Sequence, residues 1–142
     1  MFVVHRITGS PGGSNFEHIY DGLDSVKRQG TMWHTLSTKW WIVGVGEDVS
    51  GPEAIPHPWM VSCFIYNGAN SYWYRDGVLR WGPGSWGANA ISGLSIGAAY
   101  NDTSFLSGDI AEFMLYNAAV PTATRKLIEA YLGTEYGIAV AP

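Results

Sequence analysis

Glycine, proline, asparagine and aspartate cut this chain into short pieces, and that punctuation constrains its fold more than any other feature. Eighteen Gly and seven Pro are spread through 142 residues, and no apolar run between them approaches the ~20 residues that span a bilayer. Short β-branched and aromatic segments closed by turn formers read as many strands joined by tight turns.

Val3 to Ile7 opens the series and is closed by the Gly/Pro/Ser stretch from Thr8 to Ser14. Phe16 to Tyr20 follows, then a polar stretch from Asp21 to Gly30. Thr31 to Leu36 and Lys39 to Val45 are rich in residues that suit a pleated surface. Glu47 to Pro58 contains Gly51 and three prolines and reads as a long loop. The clearest local signal runs from Trp59 to Trp81. Trp59 to Tyr66 is ended by Asn67-Gly68, and Ser71 to Arg75 runs through Asp76-Gly77 into Val78 to Trp81. Asp-Gly tolerates the positive φ angles of a type I′ turn, so the last pair is a β-hairpin.

Beyond a loop from Trp81 to Gly87, strands are legible at Leu94 to Ala98 and at Asp109 to Tyr116. In the second, Ile110, Phe113 and Leu115 do not alternate cleanly with polar residues, which implies cover on both faces and hence two stacked sheets. One segment reads as a helix: Thr122 is placed to cap it, Leu127, Ile128, Tyr131 and Leu132 recur at helical spacing, and Gly133 is placed to end it. The expectation is a single all-β domain over residues 1–142 with one short C-terminal α-helix.

Charge bounds the partners. A net charge of −4, with only eight scattered Lys and Arg, gives no electrostatic footprint for nucleic acid. Charged residues make up 14% of the chain against the ~25% of an average domain, and seven Trp are present; such a surface favours contact with other proteins. The opening Met1 to Arg6 lacks the long apolar core and small-residue cleavage site of a secretory signal. Cys63 is the only cysteine and reads as a small core residue.

No sequence motif for covalent catalysis is present. Gly84-Ser85-Trp86-Gly87 lacks the spacing of a nucleophile elbow, and Gly44-Val45-Gly46 has Val49 where a dinucleotide fingerprint needs its third Gly. His5, His18, His34 and His57 lie far apart in the chain with no paired spacing for a metal.

The segments Gly108 to Asn117, Val120-Pro121 and Ile128 to Ile138 form a pattern: a Gly-Asp-Ile-Ala-Glu strand, a Tyr-Asn turn, a helix ending Tyr-Leu, and a Tyr-Gly-Ile terminus. This pattern resembles the C-terminal signature of the laminin-G-like, concanavalin-A-like jelly-roll family. Tyr74 to Leu79 and Leu94 to Gly97 sit where that family has a hairpin and a strand ending in Ile-Gly, so the resemblance covers Trp59 to Ile138. It implies a two-sheet antiparallel jelly-roll sandwich. Members usually carry some tens of residues before the strand that Phe2 to Arg6 resembles; the expectation is a domain lacking that N-terminal segment, with a sheet edge open to another chain.

The same fold hosts glycosidases that carry Glu-x-Asp-x-x-Glu on one strand. Here Ser107 stands at the nucleophile position, and Asp109 and Glu112, three apart, fall on opposite faces of a regular strand; no enzyme is expected. No cofactor is implied. Calcium is the one cation left open by the resemblance, with Asn101, Asp102 and Asp109 as oxygen donors, although two carboxylates are few for a tight site. Asn101-Asp102-Thr103 is formally a glycosylation sequon, unused without export.

Aromatic residues in loops are the stronger pointer. Trp81 and Trp86 bracket a Gly/Pro loop, Tyr72 and Tyr74 share a face of one strand, and Tyr100 adjoins Asn101 and Asp102. Flat rings beside amides and carboxylates suit sugar rings and protein hot spots alike. Trp33, Trp40, Trp41, Trp59 and Trp73 read as packing. The leading expectation is a non-catalytic interaction and assembly module, a decoration, cement or attachment component of a phage virion or similar particle, whose partners are other protein chains, copies of itself included. The alternative is a carbohydrate-binding module for surface glycans. Neither involves nucleic acid or membrane insertion, and both place the protein on a particle surface, or in the cytoplasm before assembly.

Overall fold

A computed structural model describes residues 1–9, 16–24, 29–34, 39–43, 47–48, 55–86 and 91–142, with the side chains of 41–43 and 47–48 excepted. The described residues form a β-sandwich of two antiparallel sheets and one C-terminal helix. The strands are β1 (Phe2–Ile7), β2 (Phe16–Asp21), β3 (Gly30–His34), β4 (Lys39–Val43), β5 (Glu47–Asp48), β6 (His57–Ile65), β7 (Ser71–Arg75), β8 (Val78–Gly84), β9 (Ser95–Ile96) and β10 (Gly108–Met114), followed by helix α1 (Thr122–Tyr136). One sheet has the order β10-β1-β6-β7-β8 and the other β5-β4-β3-β2-β9.

Alternation along the strands of the first sheet builds two separate cores. Val3 and Ile7 of β1, Met60 and Phe64 of β6 and Trp73 of β7 point inward and meet Ile19, Tyr20, Trp33 and Trp40 from the second sheet. Phe2, Val4, Val61 and Cys63 point outward and are covered by Leu132 of α1, with Ile128, Tyr136, Ile138 and Val140 packed around them. The first sheet is thus apolar on both faces beneath α1, and in β10 Ile110 and Phe113 both turn inward because a bulge lies between them.

The β7–β8 hairpin turns on Asp76 and Gly77, whose φ angles of 50° and 77° suit the I′ geometry expected of Asp-Gly. The strand β8 runs on to Gly84, through residues expected to be loop. Of the loop expected from Glu47 to Pro58, Glu47–Asp48 and His57–Pro58 lie in strands, and 49–54 fall outside the described residues, as does the Trp41 side chain.

The helix departs from expectation in three ways. Pro121, not Thr122, occupies the N-cap, and its carbonyl accepts the Arg125 N–H at 2.9 Å. Gly133 does not end the helix. A Cβ there would meet the Val140 side chain and the Ile138 carbonyl, so this glycine lets the C-terminal segment pass close, and Gly137 makes the left-handed cap instead. The apolar stripe is also divided: Leu132 is buried and Ile128 half-buried, while Leu127 is 72% exposed and Tyr131 55%. Arg125 and Glu129 take the inner face, paired side chain to side chain, with the Arg125 guanidinium 3.7 Å from the centre of the Tyr74 ring.

Candidate functional site

The residues singled out from the sequence do not converge. Trp86 is buried, 4.8 Å from Trp81 in a near-parallel stack and 4.9 Å from Tyr66. Both tryptophans belong to the inner core, and Trp86 has no face left for a ligand. Tyr72 and Tyr74 share one face as expected, 6.1 Å apart, but it is the outer face, where Tyr74 packs with Phe2 and Val61 beneath α1. Tyr100, Asn101 and Asp102 lie in the segment after β9, which belongs to the other sheet.

That segment is held to β2 by buried carboxylates. Glu17 accepts the Ser107 N–H at 2.9 Å, and Asp21 accepts the Tyr100 N–H at 3.1 Å. The backbone adds His18 N–H to the Ser104 carbonyl at 3.2 Å and Gly97 N–H to the Ile19 carbonyl at 2.9 Å. Asn101 accepts a hydrogen bond from Thr103 Oγ1 at 2.6 Å. Asp109 is occupied on β10, where it takes the Arg6 Nε–H at 2.7 Å. Among the described residues no group of three or more His, Cys, Asp or Glu is placed to hold a metal, and of the proposed calcium donors Asn101 is engaged by Thr103 and Asp109 by Arg6.

The faces of Asp109 and Glu112 correct the expectation. Opposite β1, Arg6 pairs with Asp109, His5 with Ile110 and Val4 with Glu112, so Ala111 is an extra residue in the ladder. This bulge brings both carboxylates to the outer face with Arg6 and Val4. Each has a protein partner there, Asp109 through Arg6 and Glu112 through the Tyr136 hydroxyl, which donates at 2.9 Å.

Two of the histidines separated in sequence also come together. His5 and His57 both lie against Trp40, with ring centres 5.6 Å from it, and His57 packs edge-on to Trp33 at 4.5 Å. His5 Nε2 is 2.9 Å from Ser62 Oγ. Burial first, then the nearby His57 and Arg75, push the His5 pKa down to about 3. Both members of this Ser–His contact are fully buried, so no substrate reaches it. The Cys63 thiol is buried as expected, and burial pushes its pKa up to about 12, leaving an inert thiol.

Among the described residues, two concave features stand at opposite ends of the β1–β6 pair. At one end a groove of about 540 Å³ of mixed polarity is lined by Met1, Phe64, Tyr66, Leu115 and Tyr116, with Gln29 and Asn117 among the polar side chains. Leu115 is 57% exposed and Tyr116 42%, with the Tyr116 ring edge-on to Phe2 at 5.8 Å. At the other end a cleft of about 500 Å³ lies between Arg6, Thr8, His57 and Trp59. Leu115, read from the sequence as part of a strand covered on both faces, lies past the end of β10 and is exposed at the groove; nothing local marks the cleft, whose walls come from segments some fifty residues apart in the chain. Compared with known proteins, the chain matches no family model, no curated protein and no solved structure.

Proposed function

We propose that the chain is a non-catalytic interaction module of the laminin-G-like, concanavalin-A-like jelly-roll type, which presents its groove to neighbouring chains of an assembly, copies of itself among them. Two stacked antiparallel sheets, with the chain crossing repeatedly from one to the other, support the jelly-roll reading. The observation that carries the function is the groove itself. Leu115 and Tyr116 stand exposed at a concave surface with a mixed polar and apolar lining on a chain with few charges, a combination that suits contact with a partner. The engagement of Asp109, Glu112 and Glu129 by internal partners supports a role without chemistry. A decoration, cement or attachment role in a phage virion rests on the family resemblance alone.

The test is the mass of the native species by sedimentation across a wide concentration range. Concentration-dependent association that is lost in Leu115→Glu and Tyr116→Ser is the expected result. A monodisperse monomer throughout overturns the proposal.

A further inference from the structure

The cleft at the far end of β1 and β6 is separate from the groove. Arg6 leaves β1 on its outer face, and two contacts fix its guanidinium. The carbon of the group lies 4.9 Å from the centre of the Trp59 ring, and Nε donates to Asp109 Oδ2 at 2.7 Å. A guanidinium that lies over a ring and donates through Nε is restrained in direction, so less freedom is lost when it binds. Nε is its only nitrogen with a hydrogen-bond partner among the described residues, and the side chain is 42% exposed. Among those residues the Nη pair is left as a fork, the geometry that takes a carboxylate through two parallel hydrogen bonds.

The other walls narrow the ligand. Thr8 Oγ1 donates its proton to the Ser107 carbonyl at 3.1 Å, so toward the cleft it can only accept. Pro56, Pro58 and Trp59 supply apolar walls, and the His57 imidazole lies on the inner side. Charge bears on the ligand too: Asp109 already balances the Arg6 cation, so each added negative charge is uncompensated and is repelled by the Asp109 carboxylate, which weighs most against a doubly charged oxyanion. We infer that the Arg6–Trp59 cleft binds a monovalent carboxylate that carries a hydroxyl or N–H donor beside it. An acidic sugar and a peptide C-terminus share that chemistry.

The experiment is a titration of the isotope-labelled full chain with glucuronate, N-acetylglycylglycine, inorganic phosphate and glucose, following the Arg6 Nε–H and Trp59 indole N–H resonances. Saturable shifts with a carboxylate, weaker with phosphate and lacking with glucose, are expected. Saturation by glucuronate alone identifies a sugar acid, and by the dipeptide alone a peptide end. Arg6→Gln should weaken binding by about tenfold or more, and Arg6→Lys should not restore it, because an ammonium lacks the fork. Shifts that never saturate with either carboxylate, that are as strong with phosphate, or that survive Arg6→Gln unchanged overturn the inference. The wild-type titration decides even if a variant fails to fold, and its outcome is independent of the groove at the other end.

Discussion

Glu17 is fully buried on β2, where one oxygen accepts the Ser107 N–H and the other has no hydrogen-bond partner among the described residues. Burial pushes its pKa up to about 7, and the Ser107 N–H opposes the shift without cancelling it. A folded pKa above the unfolded value of about 4.3 means that the native state keeps a proton the unfolded chain has lost. This group's contribution is therefore favourable below about pH 4.3, declines as pH rises toward about 7, and stays unfavourable above. Glu17→Gln keeps the acceptor for Ser107 and removes the ionisation. Urea unfolding should find the variant more stable than the parent above pH 7, by on the order of 2 kcal/mol, with the difference vanishing in acid. His5 acts in the opposite sense: its pKa is pushed down to about 3, so protonation favours the unfolded chain as pH falls below about 6.5.

Helix α1 turns Leu132 and Ile128 toward the sheet beside the buried Arg125–Glu129 pair and leaves Leu127 and Tyr131 exposed, so its apolar stripe is split between two faces. Burial raises the Glu129 pKa, and the Arg125 guanidinium pulls it the other way. Removing Arg125 alone leaves a carboxylate buried and uncompensated. Arg125→Met should therefore cost about 3–5 kcal/mol, whereas Arg125→Met combined with Glu129→Leu should be near neutral or stabilising. A double-mutant cycle in urea checks both, and additive effects would deny the pairing. The β7–β8 turn is tied to the segment after α1: the Ala141 N–H reaches the Asp76 carbonyl at 2.9 Å, and a Cβ on Gly77 would run into the Ala141 carbonyl. Gly77→Ala also meets a φ of 77°. It should lower the melting temperature and release Ala141 N–H to rapid hydrogen exchange, while Gly137→Ala, strained at φ 65° in open space, should cost only about 1 kcal/mol and leave Ala141 protected.

At the scale of the molecule the two sheets are held together by rings. Trp40 of one sheet lies 5.7 Å from Trp73 and 5.6 Å from His5 of the other, and 5.2 Å from Trp33 beside it. Trp40→Ala removes a ring that touches both layers and should cost about 3–5 kcal/mol, read as a lowered urea midpoint. Because Trp33, Trp40, Trp73 and Trp86 are all buried, the native chain should fluoresce at short wavelength and resist acrylamide, and this variant should lose part of that protection. The hydroxyls of Tyr20 and Tyr66 meet across the same interior, joined by Thr31 at 3.2 Å from Tyr20. Both phenol pKa values are driven up, chiefly by burial, so the link persists through the neutral range.

Local chemistry in the sequence determined the pieces: the Asp76-Gly77 turn, the short pleated segments and the existence of a helix near residues 122–136 all follow from backbone preferences that act over a few residues. The burial of Cys63 was legible too, from its place in an apolar run. Which face each residue serves was decided only in three dimensions. One extra residue at Ala111 moved Asp109 onto the face of Glu112; packing against Val140 gave Gly133 a purpose other than stopping the helix; and Trp86 became core because Phe64 of β6 and Tyr66 just beyond it reach it from a distant part of the chain. Arg6 and Trp59 come together only because β1 and β6 pair. Such contacts join residues distant in the chain, and no periodicity or motif within a single segment records them.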